Sequence, residues 1–311
     1  MDEAYNIANT VELITPARFL FGGGQTPKAW TEKMLEDEHL KVLMYEPEAV
    51  KVFANTEIKG GVAITLRDAN KNYGKIGIFT AYEEMNSILH KIMQSEHTPI
   101  STIVSSQGIY KFSEQAFKDH PEIAEVAGSG TGAKIISRTI SLLPEVFLNE
   151  EDCTSKHMKI LGRVSNTRCY KAVLKKYIQV NPYIDSFNLI VPKASGNGIF
   201  GETMSGFEVA PPGVGTTDTF ISVGTFKTKA EAKAVGIYFK TKFLRALLGT
   251  VKVNQDVSPE KFKYIPIQDF TPSSDIDWSA SIKNIDRQLY KKYGLSQEEI
   301  DFIESHVKEM E

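Results

Sequence analysis

Apolar and polar positions along this chain follow two periods, and the first third uses both. Val11–Ile14 reads as a short strand, and Pro16 opens one helical turn over Ala17–Phe21 that Gly22-Gly23-Gly24 ends. Thr26 stands as an N-cap with Pro27 at the first helical position, and Trp30, Met34 and Leu35 line one side of the helix that follows. Leu40–Tyr45 reads as a buried strand, and Pro47 starts a short helix with Val50 and Phe53 inward. Val62–Leu66 and Ile76–Thr80, linked by the polar stretch Asp68–Gly74, pair as antiparallel strands. Glu83–Gln94 sets Met85, Ile88, Leu89 and Ile92 at helical spacing.

The middle of the chain is less regular. Residues 99–105 and 134–140 are strand candidates around the glycine-rich loop 128–132, and the proline and acidic residues over 145–155 mark a linker. Beyond it, Ile184–Val191 and Thr219–Val223 read as strands, separated by 195–216 with six glycines and two prolines. Thr228 with Glu231 forms a capping box for one long helix ending at Gly249, and Ser296 with Glu299 forms another. Helices are expected over 229–248, 279–293 and 296–309. The mixture predicts an α/β chain, α+β overall, in two parts, 1–150 and 151–311.

Composition adds bounds. With 311 residues, 41% hydrophobic and 24% charged, there is material for a core. No apolar run approaches the roughly 18 residues of a membrane span. Cys153 and Cys169 are the only cysteines, and a reducing cytoplasm is the expected setting. The charge is segregated. Residues 1–153 hold 14 Lys+Arg and 22 Asp+Glu, a net of −8; residues 154–265 hold 17 and 7, a net of +10; residues 266–311 hold 5 and 10, a net of −5. A basic block between acidic ones suits a polyanion.

The chemistry of small-molecule enzymes is sparse. The Gly22–Gly24 triplet follows a helical turn, without the strand before it or the GxGxxG register that a dinucleotide loop needs. Neither a P-loop nor GxSxG occurs, and the six histidines lack metal-ligand spacing. A metal-dependent nuclease would have to draw on isolated carboxylates such as Asp68, Asp185, Asp218 or Glu202. The cations are more coherent. Lys229, Lys233, Gly236 and Lys240 fall on one helical face, flanked by Lys242 and Arg245, while Val235, Tyr238, Phe239, Phe243, Leu247 and Leu248 take the buried side. Upstream lie Arg163, Arg168, Lys171, Lys175, Lys176 and Lys193, with Tyr170 and Tyr177 between them. Such cations would neutralise phosphates and release counterions. The stretch 195–216 is either a loop that enters a groove, with Asn197, Glu202 or Thr203 reaching bases, or an ordinary surface loop.

The phrases ITPARFLFGGG (14–24), VFANTEIKGGVAI (52–64), KILGRV (159–164), VPKASGNGIFGE (191–202), TDTFISVGTF (217–226), FKTKFLRALLG (239–249), YIPIQDFT (264–271) and the run 277–310 together resemble, in order, the C-terminal part of Eco57I-type adenine-specific restriction-modification methyltransferases. The resemblance implies that 1–150 is the end of a Rossmann-like methyltransferase domain plus a connector, and 151–311 a target-recognition domain with C-terminal helices. It implies that S-adenosylmethionine and the catalytic Asn-Pro-Pro-Tyr belong to an upstream half, with no cofactor held by this chain. Val180-Asn181-Pro182-Tyr183 has one proline where that motif has two. Phe53 matches the position of an aromatic against the flipped adenine, with Lys59 near the same site; a core role for Phe53 is the alternative. Double-stranded DNA is the implied partner, and a separate catalytic chain is the alternative one.

Overall fold

The computed structural model describes residues 1–21, 26–58, 60–130, 132–252 and 255–310. It is a mixed α/β protein with three small sheets. The Gly22–Gly24 corner and Lys59 lie outside the described residues. Two compact units divide the chain, Met1–Ser95 and Glu96–Glu311.

The N-terminal unit carries α1 (Asp2–Ile7), β1 (Thr10–Pro16), α2 (Lys28–Leu35), β2 (Leu40–Glu46), β3 (Val62–Asp68) and α3 (Glu83–Gln94). Its sheet has the order β1-β3-β2, antiparallel throughout. Ala17, Phe19, Leu20, Met34, Leu40, Ala63 and Phe79 form its core, and α3 buries the four apolar residues its spacing predicts. Pro27 rather than Thr26 stands at the cap of α2, where no side chain accepts an amide.

Ile76–Thr80 is not a strand. β3 was its expected partner, but both edges of β3 are taken by β1 and β2. The segment is instead held by Gly77 N–H donating to the Leu35 carbonyl at 2.8 Å and by burial of Phe79. The helix after Pro47 shrinks to one 3-10 turn, Ala49–Lys51. Only Ala49 of that turn is buried, so Val50 and Phe53 point outward, 56% and 41% exposed.

The C-terminal unit begins with α4 (Glu114–Asp119), α5 (Ile123–Ala127) and α6 (Ser137–Leu142). The strands follow: β4 (Leu148–Asn149), β5 (His157–Val164), β6 (Thr167–Leu174), β7 (Phe187–Pro192), β8 (Glu208–Ala210), β9 (Val214–Thr216) and β10 (Phe220–Phe226). It closes with α7 (Lys229–Lys240), α8 (Lys242–Gly249), α9 (Ile282–Lys292) and α10 (Gln297–His306). One sheet runs β4-β6-β5-β9, with β5 and β9 parallel, and the other runs β10-β7-β8.

Tyr110, Phe112, Ile135, Ile140 and Phe147 share a core with Met158, Ile160, Val173 and Ile178. Residues on both sides of position 150 thus share one core, while residues 149–152 themselves are exposed, and both sides lie in the compact unit Glu96–Glu311. Segment 99–105 holds a 3-10 turn, Ile100–Ile103, with isolated bridges from Pro99 and Val104. Residues 134–140 run into α6, because Thr139 Oγ1 donates to the Ile136 carbonyl and accepts its N–H, which opens a helix.

The single helix expected over 229–248 is two. Thr241 is buried and extended (φ −61°, ψ 146°); its hydroxyl donates to the Tyr238 carbonyl at 2.6 Å and accepts the Leu244 N–H at 3.2 Å, closing α7 and capping α8. The apolar side is buried as the spacing predicts, and both capping boxes form.

Asp286 of α9 adds a tertiary cap, accepting the Lys242 and Phe243 N–H groups at 3.0 and 2.9 Å. Burial pushes its carboxyl up to about 6, against the pull of these amides and of Arg245 and with the push of Glu304. A raised folded-state value stabilises while the group stays protonated and is lost as pH rises through it. The stability of the wild type relative to Asp286→Asn is therefore expected to fall by on the order of 2–3 kcal/mol between pH 4 and 7, as read from urea midpoints at each pH.

Candidate nucleic-acid interface

The turn between β5 and β6 is two residues long. Ser165 and Asn166 both sit at positive φ, 50° and 63°, the conformation a tight hairpin requires. This turn fixes the register and sets Arg163 directly opposite Arg168. Strand alternation puts both on the face of Leu161 and Tyr170, which packs with Ile190, Ala210 and Phe220.

The two guanidinium carbons lie 5.9 and 5.1 Å from the Phe220 ring centre. Arg168 Nη2 also donates to the Gly206 carbonyl at 2.7 Å. Neither arginine has a carboxylate within ion-pair distance among the described residues. Like charges directly opposite on a sheet repel. Packing on one aromatic ring holds them together, and the exposed Ser165, Asn166 and Thr167 surround them. Two adjacent guanidinium forks can grip one phosphate.

The other predicted cations fall in several places. Lys171 lies on the opposite face of β6 from Arg168 and donates to Asn149 Oδ1 at 2.8 Å. Lys175 is exposed, whereas Lys176, also exposed, pairs with Asp119 at 2.6 Å. Lys193 lies 3.9 Å from Asp256. On α7, Lys229 and Lys233 are exposed and Lys240 is half-buried, but a Cβ at Gly236 would sit 3.2 Å from Leu189 of β7. The stripe thus runs from solvent onto the sheet.

Lys242 and Arg245 are not surface cations. Lys242 is buried against Glu304 at 2.7 Å, and Arg245, 2% exposed, donates to the carbonyls of Lys240, Glu202 and Lys308. Both are held by packing of α8 against neighbouring chain segments and leave the set of candidate DNA contacts. Glu202 leaves the set of candidate base readers as well. Its carboxylate turns inward, accepting the N–H groups of Asn197 and Gly198 at 2.6 and 3.0 Å and the ammonium of buried Lys252. The Asn197 side chain remains exposed.

The core alternative for Phe53 is removed by its exposure. Asn181 Oδ1 accepts the Tyr183 N–H at 3.1 Å, which makes the Asn-Pro-Tyr stretch a local turn. Sequence reasoning missed Phe220 and Gly206, which hold the arginine pair. It misses the hairpin as well, since it expects no strand over 157–174; the signal that marks it is Ser165-Asn166 as a two-residue turn with Arg163 and Arg168 symmetric about it.

Neither a protein-family model nor a curated protein matches the chain. Among the described residues, no helix is long and apolar enough to cross a membrane, and no three His, Cys, Asp or Glu gather as a metal-binding group.

Proposed function

We propose that the chain is the DNA-recognition part of an adenine-N6 DNA methyltransferase of the restriction-modification kind. The carrying observation is the arginine pair at the β5–β6 tip: Arg163 and Arg168, side by side on Phe220 without a carboxylate, within a block of net charge +10. Duplex backbone is the polyanion that fits. Lys229, Lys233 and Lys175 add further exposed charge, and Asn197 is the exposed amide nearest in kind to a base reader.

The antiparallel sheet of the N-terminal unit is read as the closing strands of a Rossmann-like methyltransferase domain, with Phe53 as the exposed aromatic toward a flipped base. The motifs of this chain offer S-adenosylmethionine no recognisable cradle. No glycine loop follows a strand into a helix, and the Asn-Pro-Tyr stretch is spent on its own turn. On this reading the donor and the transfer step are assigned to a separate catalytic half.

A gel-shift titration with duplex DNA across salt tests the reading. Binding should weaken steeply as salt rises, and Arg163→Glu with Arg168→Glu should weaken it at least about tenfold while flattening the salt slope by about 2. Equal binding by the double variant would remove the pair from the interface, and no binding at low salt would end the DNA reading.

One observation favours a second reading, a subunit that docks on a separate catalytic chain. Of the eleven exposed large hydrophobic residues among those described, eight lie in Met1–Ser95, including Ile14 on β1, Val50 and Phe53. Among the described residues, β1 is also an edge strand of its sheet. Light scattering with and without the catalytic half decides it, and two species that do not associate would sink it.

A further inference from the structure

The N-terminal unit contains a cleft of about 590 Å³ along β2, bounded by the irregular stretch 73–81 and by Glu83, Asn86, Ser87 and His90 of α3. β2 is an edge strand. Apart from its ladder with β3, no backbone hydrogen bond involves Lys41–Glu46 among the described residues. Across the cleft, Lys75, Ile76, Ile78 and Phe79 have no backbone partner among the described residues either. Backbone amides and carbonyls left over along an edge strand are complementary to another extended backbone.

The side chains narrow the occupant. A bulge between Val42 and Met44 leaves Leu43 and Met44, neighbours in sequence, 45% and 46% exposed. Phe21, Tyr45 and Phe79 stack edge to face at 5.3 to 5.6 Å and give one end of the cleft an aromatic wall. Lys41 lies 4.6 Å over the Tyr73 ring, without a carboxylate in ion-pair range among the described residues. Lys75 is already paired with Glu36, and Glu83 adds an exposed carboxylate to the wall, so a polyanion finds little here.

We propose that this cleft is a peptide-binding site, in which an extended segment of another polypeptide joins β2 as an antiparallel fourth strand. The segment is apolar at alternate positions, to cover Leu43 and Met44 and meet the aromatic wall. It carries a carboxylate at its C-terminal end, which antiparallel pairing brings to Lys41 at the start of β2. The cleft lies wholly within the N-terminal unit and asks nothing of the cationic hairpin.

The test is amide hydrogen exchange of Lys41–Glu46 in the full chain, with and without a capped seven-residue peptide of alternating valine and threonine ending in glutamate. Saturating peptide should slow the outward-facing amides about tenfold or more. The same peptide N-methylated at alternate nitrogens should give no protection, and Lys41→Glu should weaken binding up to about fivefold. Unchanged exchange overturns the proposal. So does protection already complete without peptide, which would mean that 73–81 closes the edge itself. Protection that grows with protein concentration alone would make a second copy the occupant and overturn it equally.

Discussion

Arg245→Met is expected to lower the stability of the C-terminal unit by about 3–5 kcal/mol, against less than about 0.5 for Lys229→Met or Lys233→Met. The three residues belong to one run of cations in the sequence, and their environments separate them. Arg245 is nearly enclosed, and burial lowers its affinity for the proton. Its guanidinium donates to the Lys240 carbonyl at the end of α7, to the Glu202 carbonyl at 3.2 Å and to the Lys308 carbonyl at 2.5 Å. Methionine fills much of the volume and leaves three acceptors without a donor. A buried acceptor stripped of its partner costs about 1–3 kcal/mol, and relaxation recovers part of it. For a unit of this size, the loss corresponds to a melting point lower by roughly 6–20 °C. Below that temperature the variant should bind DNA with an unchanged salt slope. A melting point within 2 °C of the wild type, with weakened DNA binding, would return Arg245 to the interface.

Where the information is local, the sequence carries it. Thr228 with Glu231 and Ser296 with Glu299 announce two helix starts, because a capping box needs only residues three apart. The apolar face of α3 is as plain. Ile76–Thr80 has the same β-forming character as Val62–Leu66, yet which of them finds partners depends on β1 and β2, which pair with β3 from far along the chain. Thr241 interrupts 229–248 without interrupting its apolar period, so the spacing hides the break.

The candidate interface divides in the same way. The opposition of Arg163 and Arg168 follows from a two-residue turn, but Lys171 passes to the other face of the strand, and a tally of cations is blind to that alternation. Arg245 reads as a surface cation because the segments that bury it, around Glu202 and Lys308, are 43 and 63 residues away.

Breaking the Glu202–Lys252 pair is the other change with a large expected effect. Lys252 is 3% exposed and Glu202 15%, and the carboxylate also gathers the Asn197 and Gly198 N–H groups, so the loop 196–202 is built around it. Gly196, at φ +68°, is part of the same construction, since a Cβ there would run into the carboxylate. Glu202→Gln leaves an enclosed ammonium without a counter-charge, and Lys252→Met leaves a carboxylate with amides alone. Each should cost about 3–5 kcal/mol, whereas the double variant should recover much of the loss, because it buries no unpaired charge.

The pH dependence gives the pair a second signature. Burial raises the Glu202 carboxyl, but Lys252 and the two amides outweigh it and hold it below its ordinary 4.5. A depressed folded-state value contributes stability above pH 4.5 that is lost as pH falls through that lower value. Acidification below pH 4.5 should therefore destabilise the wild type more than Lys252→Met, the reverse of the sign worked out for Asp286 at higher pH. Urea midpoints for the four members of the cycle from pH 3 to 7 measure both effects. Strictly additive losses with parallel pH curves would show that the charges contribute independently and that the loop is held by its backbone contacts alone.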